Sequence, residues 1–192
     1  MVYIIYLQEV GKLNKSMLFD LKKNLEEKFI HLNIYVDILQ DKIKLKKGYF
    51  DSERGQYKAH KILNFLNKKA QNMKYFRIIG VLDDDMYTKN YNFVFGIAKM
   101  NNYAALISIA RLREEFYLIY GTIHRKIESY KKLEERILKE AIHELGHTFG
   151  LEHCINTCIM QFSNNLIDTD NKPKEFCDFC RVKLQRLFNI ST

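Results

Sequence analysis

Apolar residues in this chain come either in unbroken runs or at helical spacing, and the switches between the two mark out its elements. Val2 to Leu7 is an unbroken β-branched, aromatic and aliphatic run, which predicts a buried strand. Leu18, Leu21, Leu25 and Phe29 recur at helical spacing and predict an amphipathic helix over about 15 to 29. Asn33 to Leu39 predicts a second strand. Residues 41 to 56 are mostly polar and carry Gly48 and Gly55, so they read as a loop with room for a short strand. Ala59, Ile62, Leu63, Leu66 and Ala70 mark a second helix. Phe76 to Leu82, Phe93 to Ala98 and Ala104 to Ile109 bring the strand candidates to five. Strand-helix-strand order implies right-handed crossovers and a largely parallel sheet covered by helices. The short links between the later runs predict an antiparallel pair at one edge.

From Glu114 onward the pattern is helical. Ile119, Ile123, Ile127 and Tyr130 keep a roughly four-residue rhythm, broken at Gly121. Leu133, Ile137, Ala141 and Leu145 continue it, and predict a helix from near residue 130 to Phe149. Leu184, Leu187 and Phe188 predict a short C-terminal helix.

The end of the long helix carries the chemistry. Residues 143 to 153 read His143-Glu144-Leu145-Gly146-His147-Thr148-Phe149-Gly150-Leu151-Glu152-His153, or H-E-x-x-H-x-x-G-x-x-H. This resembles the zinc-site signature of the metzincin peptidases. A chance match in a chain of this length is on the order of one in a hundred thousand at background residue frequencies. His143 and His147 lie one turn apart on one helix face, so both imidazoles reach a single metal ion. Gly150 is placed to end the helix with a positive φ, which glycine adopts without steric cost. His153 then arrives from outside the helix as a third ligand. Three neutral imidazoles leave zinc's fourth position open, the catalytic pattern. Glu144 stands beside the first histidine, placed to take a proton from a zinc-activated water and return it to a leaving amine.

Cys154 follows His153 directly, and Cys158, Cys177 and Cys180 complete the four cysteines of the chain. A C-x3-C pair and a C-x-x-C pair within 27 residues read as a four-thiolate structural zinc site. Two disulfides are the competing reading. No secretory signal is visible, because Glu9, Lys12, Lys15 and Asp20 interrupt the first thirty residues. A reducing cytoplasm is therefore the expected location, and there close cysteine pairs favour metal.

The stretch from His143 to Cys180 resembles the archaemetzincin family, in which a metzincin motif runs directly into C…C-x-M…C-x-x-C. The resemblance implies that His143, His147 and His153 bind a catalytic zinc, with Glu144 as general base. It implies a second zinc held by Cys154, Cys158, Cys177 and Cys180. Met160 would be the Met-turn residue, an apolar floor beneath the zinc ligands. Three residues separate Cys154 from Cys158 and sixteen separate Met160 from Cys177, each one fewer than in the family pattern. The implied fold is α/β (α+β): a metzincin-like twisted, mixed five-stranded sheet with helices, the active-site helix, and a small C-terminal subdomain with the four-cysteine zinc site. The resemblance also implies that one of the last two strands borders the cleft, where an extended peptide adds as a further strand.

Composition narrows the function classes. At 192 residues the expected unit is one domain over 1–192, with an N-terminal subdomain to about residue 150 and a C-terminal one over about 151–192. No apolar run reaches 18 residues, so no membrane span is expected. The net charge of +8 comes from scattered lysines and reads as a solvated surface, so no nucleic-acid partner is expected. The expected function is a zinc-dependent metallopeptidase acting on peptide or protein substrates. The alternative is a zinc-stabilised peptide- or protein-binding protein with gated or absent proteolysis.

Other constellations are weaker. Asp83-Asp84-Asp85 reads as a solvated turn, and Asp168 with Asp170 as a turn leading into Pro173. His31, His60 and His124 lack ligand spacing. Arg111 and Arg113 follow the last strand; they read as surface charge by default, or as a grip on a substrate carboxylate.

Overall fold

Five apolar runs become five strands of one mixed sheet. The structure, a computed structural model, describes residues 2–118 and 129–188. In chain order the elements are β1 (Tyr3–Val10), α1 (Lys15–Phe29), β2 (Ile34–Ile38), β3 (Phe50–Asp51), β4 (Gln56–Lys58), α2 (Ala59–Met73), β5 (Arg77–Leu82), β6 (Met86–Tyr87), β7 (Gly96–Ala98) and β8 (Ala104–Ser108). The helices α3 (Glu115–Leu118), α4 (Tyr130–Thr148), α5 (Leu166–Asn171) and α6 (Asp178–Leu187) follow. The rhythm at Ile119, Ile123 and Ile127, and His124, lie outside the described residues.

The sheet order is β2-β1-β5-β8-β7. β1 pairs in parallel with β2 and β5, and β5 with β8, while β7 runs antiparallel to β8. The central strands are buried on both faces, which is why they read as continuous apolar runs. Ile79 and Val81 face α1 and α4, while Ile78 and Leu82 face α2. The parallel strands thus carry the helices on both faces, and β7 is left as an edge.

The loop over 41 to 56 contains the short strand it had room for, β3, which pairs with β4; β6 joins them in a second, three-stranded sheet. Three other sequence expectations need correcting. Arg111 and Arg113 neither wave in solvent nor face a substrate. Arg111 makes a two-pronged ion pair with Asp85 at 2.7 and 2.8 Å, and Arg113 reaches Asp83 at 2.7 Å. The turn Asp83–Asp85 is therefore a clamped corner, not a freely solvated one; burial raises the carboxyls of Asp83 and Asp84 above their usual range. Asp168 and Asp170 sit in α5, which stops before Pro173. There Asp170 grips the buried Arg136 of α4 at 2.6 and 2.7 Å. His31 and His60 are exposed.

Candidate metal centre

The C-terminus of α4 is built as the motif predicts. Gly150 has φ +87°, the N–H of Leu151 donates to the Gly146 carbonyl at 3.0 Å, and that of Gly150 to the His147 carbonyl at 2.9 Å. This is a Schellman cap, which satisfies the last carbonyls while reversing the chain. Arg77, sandwiched against Phe76 and Phe149, donates to the Thr148 carbonyl and hydroxyl at 3.1 Å each. The helix end is thus tied to β5.

Reversal of the chain orients the histidines. His147 Nδ1 donates to the Leu151 carbonyl at 2.7 Å, and His143 Nδ1 to the Ile159 carbonyl at 2.9 Å. Both bonds leave Nε2 unprotonated and aimed inward. The two Nε2 atoms stand 3.1 Å apart. Two nitrogens on one tetrahedral zinc, at 2.0–2.1 Å each, would stand roughly 3.3 Å apart. His153 completes the set, its ring centroid 5.3 Å from that of His143 and 4.9 Å from that of His147. Burial is the first cause lowering all three imidazoles, His143 well below the ordinary 6.5, with Lys172 adding its positive charge. They are neutral donors at pH 7, as a metal requires.

Glu144 is buried beside them. Burial pushes its carboxyl well above the usual carboxylate range, and the charge of Glu140 adds to that. Its Oε2 is buried with no hydrogen-bond partner among the described residues. A Cβ on Gly96 of β7 would lie 2.5 Å from Glu144 Cγ, so only glycine lets the edge strand pass this side chain. Met160 is fully buried against α4; a Cβ on Gly146 would lie 2.4 Å from its Sδ.

The four cysteines form a second cluster, all Sγ atoms within 4.8 Å of one another and none bridged. Cys154 and Cys177 Sγ are 3.7 Å apart. Two sulfurs on one tetrahedral zinc, at about 2.3 Å each, would stand roughly 3.8 Å apart. The N–H groups of Met160 and Cys177 donate to Cys158 Sγ at 3.5 and 3.3 Å. Burial acts to raise the Cys177 thiol, but the Cys180 N–H, the Asn156 amide and the neighbouring thiols outweigh it and bring it to about 6. Cys158 and Cys180 are raised, first by burial. Cys177 thus ionises readily, and a divalent cation is what would let Cys158 and Cys180 follow.

A cleft of about 720 Å³ opens over the histidines. Its walls are β7 with the segment before it, the histidine face of α4, and Phe162 to Asn164 with Lys172. Of the last two apolar runs, the earlier therefore supplies the strand at the cleft. Motif reading missed Glu140, Lys172, Gly96 and Gly146 as site residues. Glu140 was accessible: it lies three residues before His143 and four before Glu144, on the same helix face. Lys172 carries no local signal at all.

The model of peptidase family M54 matches residues 1–186. The archaemetzincin of Pyrococcus furiosus is 39% identical over 184 residues, covering 95% of this chain and 92% of that protein. That of Saccharolobus solfataricus is 41% identical over 179 residues, covering 91% and 89%. Among solved structures, the archaemetzincin of Archaeoglobus fulgidus in complex with malonate superimposes with a TM-score of 0.78 at 32% identity, covering 94% of this chain and 99% of that one. A zinc-dependent peptidase of Methanocorpusculum labreanum gives the same score, identity and coverage.

Proposed function

We infer the workings of this chain from one premise: it belongs to peptidase family M54, the archaemetzincins, and is a zinc metallopeptidase. His143, His147 and His153 hold the catalytic zinc, and Glu144 is the general base. Zinc, when bound there, supplies Lewis acidity at the scissile carbonyl and lowers the pKa of the attacking water. Glu144 takes a proton from that water and hands it to the leaving amine. The observation that carries this role is a buried carboxylate oxygen without a partner among the described residues, beside converging imidazoles. β7 offers its free edge to an extended peptide.

Cys154, Cys158, Cys177 and Cys180 hold a second, structural zinc, giving two per chain, and Met160 is the floor under the histidines. Residues from about 151 act as a C-terminal subdomain on an N-terminal one ending near 150. Four unbridged cysteines suit the cytoplasm, where thiols stay reduced.

Digestion of a peptide library by the zinc-loaded chain, beside a chelator-stripped sample, tests this reading. Cleavage confined to the loaded sample is expected. Binding without cleavage would favour the gated, non-hydrolytic alternative.

The edge strand gives a sharper expectation. Gly96→Ala forces either Glu144 or β7 to move, an overpacking that costs about 1–3 kcal/mol. Turnover should fall about tenfold or more while bound zinc stays constant, because no histidine is touched. Parental turnover in Gly96→Ala would show that Glu144 need not sit against β7.

A further inference from the structure

Lys172 borders the cleft although its side chain is only 2% exposed. It follows α5, and its backbone N–H donates to the Asp168 carbonyl at 3.1 Å. Its ammonium has three donors. One meets Glu140 Oε2 at 3.5 Å, the outer limit of a hydrogen bond, and no second acceptor lies within reach among the described residues. Glu140 is itself buried. Ser163, on the same wall, has its hydroxyl buried without a partner. A buried ion pair kept only for the fold needs its remaining donors satisfied. This one leaves donors unmatched among the described residues, on a side chain that lines the cleft.

We propose that Lys172 is a specificity-determining residue, held in place by Glu140, that selects peptides presenting a carboxylate side chain to this wall of the cleft. The inference rests on the reading of the cleft as a zinc-dependent peptide site. An apolar side chain seated here strips water from the spare N–H donors and returns nothing. A neutral amide returns an acceptor. A carboxylate returns a charge-assisted bond, about twice as strong as a neutral one. A cationic side chain meets repulsion from Lys172. Glu140 competes for the same ammonium, yet its long contact makes it a weak competitor.

The test reads binding, so it does not need turnover. Three peptides are prepared that differ at one position: a metal-binding hydroxamate followed by Glu, Gln or Leu. Their affinities for the zinc-loaded full chain are measured by titration calorimetry. The parent is expected to bind the Glu peptide about tenfold or more tighter than the Leu peptide, with Gln between them. Lys172→Met should remove or invert that order. Glu140→Gln should widen it, since Glu140 then no longer competes with the substrate carboxylate for the ammonium. Equal binding of Glu and Leu by the parent would overturn the proposal, as would an unchanged ratio in Lys172→Met. Should Lys172→Met not fold, Glu140→Gln decides, and an unchanged ratio there has the same consequence. If none of the three peptides bound, the reading of the cleft would fail first and this inference with it.

Discussion

Glu144→Ala should keep zinc at the histidines yet slow peptide hydrolysis roughly 10²- to 10⁴-fold, about 2.7–5.5 kcal/mol of transition-state stabilisation. The fold should tolerate the change well. Glu144 Oε2 has no hydrogen-bond partner among the described residues, so its removal orphans nothing there. The space it leaves lies against Gly96 and the open cleft. His147→Ala should behave differently. It removes a metal donor and leaves the Leu151 carbonyl without its imidazole partner. Zinc content should fall with activity. Zinc analysis and turnover on the same preparations separate the two outcomes; parental turnover in Glu144→Ala would sink the general-base role.

Acid should act through the same histidines. Burial lowers all three imidazoles below the ordinary 6.5, so protonation favours the unfolded, metal-free chain. Their contribution to stability is complete above pH 6.5 and is lost as pH falls from there through the lower folded-state values. Zinc should therefore persist somewhat below pH 6.5 and then leave with these protonations, which dialysis at graded pH would reveal. Loss beginning well above pH 6.5 would contradict the burial argument.

Cys177→Ser should lower the melting temperature by more than about 10 °C. A structural zinc site contributes on the order of 10 kcal/mol in isolated modules, comparable to the whole stability of a domain. The geometry adds a second consequence. The Ile159 carbonyl that orients His143 lies between Cys158 and Met160, and the Cys154 N–H is bonded to the Met160 carbonyl at 3.0 Å. Loosening the cysteine cluster therefore loosens a histidine partner. Zinc affinity at the histidines should weaken as well, about 10- to 100-fold, the usual effect of losing an outer-shell partner. A variant that melted like the parent would mean that the cysteines hold no metal.

Much of this was legible in the chain because it is local. Leu18, Leu21, Leu25 and Phe29 report one helix face, and all four are buried in α1. The histidine spacing and Gly150 fix the end of α4 through bonds that span only a few residues. Two close cysteine pairs converge for the same reason: each pair is held by its own short loop, and only one closure between them is needed.

What the chain alone could not tell depends on partners far apart in sequence. Apolar runs identified both late strands, but their position in the sheet depends on which one pairs with β5. β8 does, in parallel, and so β7 is left free beside Glu144. That adjacency, 48 residues apart in sequence, is why Gly96 has no room for a side chain. Arg111 and Arg113 looked like surface charge because their acids, Asp85 and Asp83, lie 26 and 30 residues earlier. Lys172 looked like any other lysine until α5 brought it against Glu140, 32 residues away. The sequence by itself marked the candidate metal ligands, the helix that carries two of them and the five strands of the main sheet, since these follow from short-range geometry. Tertiary packing alone decided which edge faces the cleft and which charges are buried there, because burial and long-range pairing belong to the assembled core and not to any segment of it.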